Sequence, residues 1–219
     1  MSEVADLQRR LAGLEDVGIG PEGVVRRLAW TPELAAAEAW FGAQAAELGL
    51  RVERDPAGSL WACPGAPEPW WAAGSHLDSV RDGGRFDGPL GVAAAFAAAA
   101  RCPHPIAVIA LADEEGARFN TPTFGSRALV GRLDVADALA RTDDEGVSLV
   151  DAMAAAGAPP DRLPEAPTWL GRLRGFLELH IDQTRELALA GAPAGVVRAL
   201  ASRLRLAVVL EGRADHAGT

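Results

Sequence analysis

The chain has 219 residues, nearly half of them apolar, with 24 glycines and 15 prolines. That composition fits a globular protein of one domain or a domain and a half and excludes a disordered chain. A net charge of −9, with no basic run longer than two adjacent arginines, excludes nucleic acid as a partner. All 21 basic residues are arginine and there is no tyrosine, so neither Lys nor Tyr is a catalyst within these residues.

The segment from Met1 to Leu14 carries Glu3, Asp6, Arg9 and Arg10 and has no signal-peptide core. No window approaches a membrane span, which predicts a soluble, cytoplasmic protein with no membrane partner. Val4, Leu7, Leu11 and Leu14 recur at helical spacing and predict an opening amphipathic helix. Thr31-Pro32-Glu33-Leu34 is a helix start, with an N-cap threonine and proline at the first helical position. That helix should run to about Leu48 and stop at Gly49. Leu50–Arg54 and Ser59–Ala62 read as strands around the turn Asp55-Pro56-Ala57-Gly58.

Trp70–Gly74 is a short apolar strand delivering His76. Gly83-Gly84 is expected to give the next loop its freedom in φ/ψ. Pro89 opens a helix to about Ala100, and Ile106–Ala112 is a continuous apolar run, as in a strand buried on both faces. Asp113-Glu114-Glu115 sits at its carboxyl end. Helices are expected over Ser126–Gly131, Val135–Ala140 and Ser148–Ala156, and a surface loop over Gly157–Pro167. Phe176–Ile181 reads as a strand carrying His180, with further strand candidates at Val196–Leu200 and Leu204–Leu210. Cys63 and Cys102 are expected to be reduced, buried thiols, and the six tryptophans to pack. Alternating strands and helices argue for a layered α/β sheet, whose sites lie beyond the carboxyl ends of strands.

His76, Asp87, Glu115 and His180 fall at such ends or just after them. Imidazole with carboxylate suits zinc and is acceptable to manganese, cobalt or nickel. One carboxylate can bridge two ions, and of the adjacent glutamates one can bind metal while the other serves as base. Each motif alone is more often a surface or core feature; only their coincidence at several strand ends raises the metal reading. His104 between two prolines reads as a loop residue, and Ser75 and Ser79 lack the Gly-x-Ser-x-Gly elbow of a serine hydrolase.

Gly74-Ser75-His76-Leu77-Asp78-Ser79, Gly84-Arg85-Phe86-Asp87-Gly88-Pro89-Leu90-Gly91, Glu114-Glu115-Gly116-Ala117-Arg118-Phe119 and Gly125-Ser126-Arg127-Ala128 resemble the hydantoinase/carbamoylase branch of the M20 metallopeptidase-like amidases. Glu178-Leu179-His180-Ile181-Asp182-Gln183 and His216-Ala217-Gly218-Thr219 extend the match, which runs from about Leu28 to Thr219. This branch includes N-carbamoyl-L-amino acid hydrolases, allantoate amidohydrolases and β-ureidopropionases. The resemblance implies a layered α/β/α aminopeptidase-like catalytic domain over residues 1–201, incomplete, and the beginning of an α+β lid or dimerisation domain over 202–219. It implies two divalent ions per complete site, a small ureido or N-carbamoyl substrate, and a homodimer for the full-length family. By the resemblance, His76, Asp87 and His180 would hold one metal, with Asp87 bridging to a second held by Glu115. Glu114 would be the general base, Asp78 would orient the His76 imidazole, Gln183 would approach substrate, and His216 would polarise the scissile carbonyl.

Three positions depart from the pattern: Asp182 and Thr184 stand where relatives read Glu and Gly, and Asp215 where they often have Asn. The resemblance also implies a last histidine for the second metal beyond Thr219, and the four histidines here leave that site incomplete. The expected function is therefore a metal-dependent amidohydrolase of ureido C–N bonds, inactive as this fragment alone. A non-catalytic homologue with one metal site, and an M20-type peptidase or aminoacylase, are the alternatives.

Overall fold

The computed structural model describes residues 2–20, 23–200, 208, 209, 211, 212, 215 and 218. The chain divides into two compact units, Met1–Ile181 and Asp182–Thr219, a division that falls ahead of position 201. No helix among the described residues is long and apolar enough to cross a membrane.

The first unit is built on a five-stranded mixed sheet in the order β1-β2-β4-β3-β5. Its strands are β1 (Arg51–Arg54), β2 (Leu60–Cys63), β3 (Trp70–His76), β4 (Ile106–Leu111) and β5 (Leu173–Leu177). β3, β4 and β5 are parallel, while β1 and β2 form an antiparallel hairpin attached to β4. Asp55 closes the hairpin: its Oδ1 accepts from the amides of Ala57 and Ser59, and its Oδ2 from Trp61 Nε1.

Helices cover both faces. On one lie α1 (Glu3–Ala12), α2 (Pro32–Glu47) and α3 (Pro89–Ala99), where Phe41 and Phe96 pack with Leu60, Val108 and Ala110. Thr31 Oγ1 caps α2 by accepting from the Leu34 amide, as the sequence predicts. Thr31→Ala should cost about 1 kcal/mol of stability, read from denaturant unfolding; an unchanged midpoint would show that the cap contributes nothing. On the other face, α4 (Phe124–Leu129), α5 (Val135–Leu139), α6 (Leu149–Ala155) and a 3-10 helix (Pro160–Arg172) cover the sheet through Trp61, Ile109, Leu129 and Trp169.

Several expectations are corrected. The segment 157–167, expected as a loop, enters the 3-10 helix, and Leu163 and Ala166 are buried. Their separation of three matches the 3-10 period, and Pro164 and Pro167 hide that pattern from a search for α-helical spacing. β5 ends at Leu177, not Ile181, because its pairing with β3 runs out at Ala73–Leu177. Val196–Leu200 has no strand, and its apolar side chains are exposed. The candidate strand Leu204–Leu210 lies, apart from Val208 and Val209, outside the described residues. In the second unit a short helix, α7 (Glu186–Ala190), was not anticipated. Both cysteines are free, but only Cys63 is buried. Trp71 is exposed while Trp30, Trp40, Trp61 and Trp70 are buried.

Candidate metal centre

Three loops meet at the carboxyl ends of β3 and β4. β3 ends at His76, whose side chain is 1 % exposed. Its Nδ1 lies 3.0 Å from the Asp78 carbonyl, a contact that places the ring proton on Nδ1 and leaves Nε2 facing the cleft. The Asp78 carboxylate has a second task. Its two oxygens accept from the amides of Glu114 at 3.2 Å and Glu115 at 3.0 Å, tying the loop after β3 to the loop after β4. The backbone carbonyl of Asp78 is thus nearer the ring than its carboxylate, which stands 3.6 Å from Nδ1.

The acidic loop is fixed from its other side as well. The carbonyls of Ala112, Asp113 and Glu114 accept from the amides of Gly125, Phe124 and Thr123 at the start of α4. A Cβ on Gly125 would lie 2.7 Å from the Ala112 nitrogen, so only glycine permits this approach. Asp113 turns the chain with φ +45° and points inward, fully buried, while Glu114 and Glu115 face the cleft side.

Asp87 arrives on the loop that leads into α3. The expected use of Gly83-Gly84 for backbone freedom is corrected, since neither has positive φ. Gly83 instead pairs with Val25, and a Cβ there would meet Ser79 at 2.9 Å. The residue that needs positive φ is Gly88, at +83°, and a Cβ there would sit 2.5–2.7 Å from the His76 carbonyl and ring. Gly88→Ala should therefore cost more than about 1 kcal/mol and weaken metal binding together; a variant with native stability and affinity would refute this packing argument.

His180 lies three residues beyond β5, in an exposed position, its Nδ1 2.9 Å from the Ile181 carbonyl. What holds this stretch against the sheet is a side-chain bond: Ser75 Oγ donates to Glu178 Oε1 at 2.5 Å. Gly91 allows the Leu179 carbonyl close to α3, where a Cβ would stand 2.5 Å from it. Glu178 was missed as a positioning group; its signal was the acidic residue two before His180, beside an apolar strand.

His180 Nε2 is 3.3 Å from Asp87 Oδ1, and His76 Nε2 is 3.6 Å from the same oxygen and 3.9 Å from Glu114 Oε2. One ligand atom each from His76, Asp87 and His180 lie within 4.8 Å of one another, and so do those of His76, Glu114 and Glu115. His76 Nε2 is buried and makes no hydrogen bond. A buried imidazole Nε2 aimed at carboxylates, with a second imidazole beside it, is the donor set of a zinc-type ion, so these residues fit a metal. Gln183 belongs to the second unit, where Asp182 Oδ1 accepts from the Thr184 amide and hydroxyl in a local turn before α7. His216 lies outside the described residues.

Electrostatics agree with a centre that expects positive charge. Burial opposes a charged His76, yet the Asp78 and Asp87 carboxylates and Glu114 hold its pKa well above the usual histidine value. Burial raises Glu114 against the pull of His76, with Asp78, Glu178 and Asp87 adding to the rise. Burial also pushes Glu115 up to about 7, with His76 opposing and Asp87, Glu114 and Asp78 adding. Both His76 and Glu115 bind their proton more tightly folded than unfolded. Their contribution to stability is present in acid and lost as pH rises, over about pH 5 to pH 7 for Glu115 and above the ordinary histidine range for His76. The metal-free chain should therefore lose melting temperature across that window, and zinc should remove the loss. A metal-free stability that rises from about pH 5 to pH 7 would contradict this charge arrangement.

No family model matches the chain. It is 42% identical over 222 residues to an N-carbamoyl-L-amino acid amidohydrolase of Geobacillus stearothermophilus, a match covering 97% of this chain and 54% of that protein. It is 34% identical to the allantoate amidohydrolase of Escherichia coli (strain K12), covering 97% of this chain and 54% of that one. Its fold superposes on a hydantoinase/carbamoylase family amidase from Burkholderia ambifaria with a TM-score of 0.71 at 32% identity, over 87% of this chain and 48% of the other. The chain thus spans about half the length of the curated relatives it matches. Along almost all of its own length, in sequence and in fold, the chain is homologous to the N-carbamoyl-L-amino acid and allantoate amidohydrolases, with hydantoinase/carbamoylase family amidases as its structural neighbours.

Proposed function

We propose that these residues form the metal-binding part of an amidohydrolase that cleaves the C–N bond of an N-carbamoyl-L-amino acid or a related ureido acid such as allantoate. The observation that carries the reading is the convergence of His76 Nε2 and His180 Nε2 on one Asp87 oxygen, at 3.6 and 3.3 Å, with Glu114 beside them. His76, Asp87 and His180 would hold one divalent ion, zinc or else manganese, cobalt or nickel, and Asp87 with Glu115 would contribute to a second. The chemistry such ions supply is acidification of water and polarisation of a carbonyl.

The remaining work falls to the chain's own groups. Glu114, raised by burial, takes the proton of the attacking water and returns it to the departing nitrogen as the C–N bond breaks. The Asp78 carboxylate, bonded to the Glu114 and Glu115 amides, fixes where both side chains begin. Water adds to the carbonyl carbon, and the amine leaves with the proton that Glu114 carried. From an N-carbamoyl amino acid the products are the free amino acid, ammonia and carbon dioxide.

The test joins residues 1–219 to the remaining part of the Geobacillus stearothermophilus relative, loads the protein with zinc, manganese or cobalt, and measures ammonia from N-carbamoyl-L-amino acids and allantoate. Release from one of these classes, abolished by a chelator, is expected. A folded, metal-loaded chimera that hydrolyses neither class but cleaves dipeptides or N-acyl amino acids would overturn the assignment in favour of a peptidase or aminoacylase.

A further inference from the structure

His180 differs from the other two donors of its group in how it is held. His76 is the last residue of β3 and is buried, and Asp87 is followed by Gly88, whose backbone packs against the His76 ring. His180 is exposed and lies three residues past Ala73–Leu177, the last pair of the β3–β5 ladder. Continued in the same register, that ladder would set Glu178 against Gly74 and His180 against His76. It stops short, so strand pairing brings the chain to the site without fixing where the imidazole stands.

Two contacts take over where the ladder ends. Ser75, one residue before His76 and 1 % exposed, donates its hydroxyl to Glu178 Oε1 at 2.5 Å, across 103 positions of sequence. The Leu179 carbonyl lies over Gly91 of α3, where a Cβ would stand 2.5 Å from that carbonyl and 2.6 Å from the Ser75 Cβ. Ser75 and the segment bearing His180 therefore meet in a notch that the missing side chain of Gly91 leaves open. Packing alone allows the segment to slide in that notch, whereas a hydrogen bond to a carboxylate is short, directional and about twice as strong as one between neutral groups. Glu178 is otherwise exposed and belongs to neither group of possible ligands, so its bond to Ser75 is its defined role at this site. We propose that the Ser75–Glu178 bond is a strut that decides whether His180 serves as a metal ligand. With the strut, the ion has His76, Asp87 and His180; without it, the ion keeps only His76 and Asp87. The inference rests on the metal reading given above. Ser75 and Glu178 are positioning residues that act through His180.

The experiment compares Ser75→Ala, Glu178→Ala, the double variant and Glu178→Gln in the 219-residue chain. Zinc affinity is measured by competition with a chelator, and coordination by X-ray absorption. The native chain should show two imidazoles. Ser75→Ala and Glu178→Ala should each weaken zinc about tenfold to a hundredfold and show one imidazole. The double variant should be no weaker than either single one, because the same bond is lost once. Glu178→Gln keeps an acceptor oxygen for Ser75 and should retain both imidazoles and most of the affinity. Melting of the metal-free chains separates positioning from support: a merely structural role would lower the melting temperature and leave two imidazoles on the ion. Two imidazoles in Ser75→Ala, or a Glu178→Gln as weak as Glu178→Ala, would overturn the strut and leave the metal centre standing. A native spectrum without two imidazoles would overturn the metal reading and the strut with it.

Discussion

Glu114→Gln, in the chimera with the remaining part of the Geobacillus relative, should lower hydrolysis about a hundredfold to ten-thousandfold while leaving metal content unchanged. The amide keeps the shape of the carboxylate and removes its capacity to take a proton. Glu114 is a plausible ligand by distance, 3.9 Å from His76 Nε2, so the two roles must be separated by measurement. Its backbone is held twice, by Asp78 through the amide and by the Thr123 amide through the carbonyl, so the substitution should not move the loop. A variant that loses metal in step with activity would make Glu114 a ligand. One that retains native turnover would remove it from the chemistry altogether.

The second large effect is expected at His76. Its Nε2 belongs to both groups of possible ligands, the one with Asp87 and His180 and the one with Glu114 and Glu115. His76→Ala should therefore weaken zinc binding by at least about a hundredfold, more than loss of any other single donor. The same change also removes a buried ring that packs closely over Gly88, so metal affinity and stability need separate assays. His104→Ala is the internal control. That side chain is exposed on the loop before β4, and its loss should alter neither quantity. Equal zinc affinities for His76→Ala and His104→Ala would mean that the ion sits elsewhere.

The sheet was legible where burial writes an unbroken apolar run. Ile106–Ala112 predicts β4, and the helix at Thr31 announces itself by a cap whose hydroxyl is found bonded to the Leu34 amide. The candidate donors were legible by type and by position after apolar strands, and the structure brings His76, Asp87 and His180 within reach of one another. What the sequence hid are contacts made across long separations. Ser75 to Glu178 spans the stretch that carries His180, and no local pattern records it. Arg27 looked like one of many arginines, although it holds the Leu77 carbonyl and the Ser79 side chain. Gly83-Gly84 is conspicuous as a pair, but Gly88 is the position where a side chain would strike His76. The 3-10 helix escaped because its proline-rich sequence reads as a loop until Leu163 and Ala166 are seen to be buried.

The central claim, that His76, Asp87 and His180 form one metal centre, is tested most directly by X-ray absorption on the 219-residue chain loaded with one equivalent of zinc. The account predicts two imidazoles and at least one carboxylate oxygen at about 2.0–2.2 Å, with one imidazole lost and affinity sharply reduced in His180→Ala. A spectrum without imidazole, or a His180→Ala variant that holds zinc as tightly and in the same environment as the native chain, would contradict it.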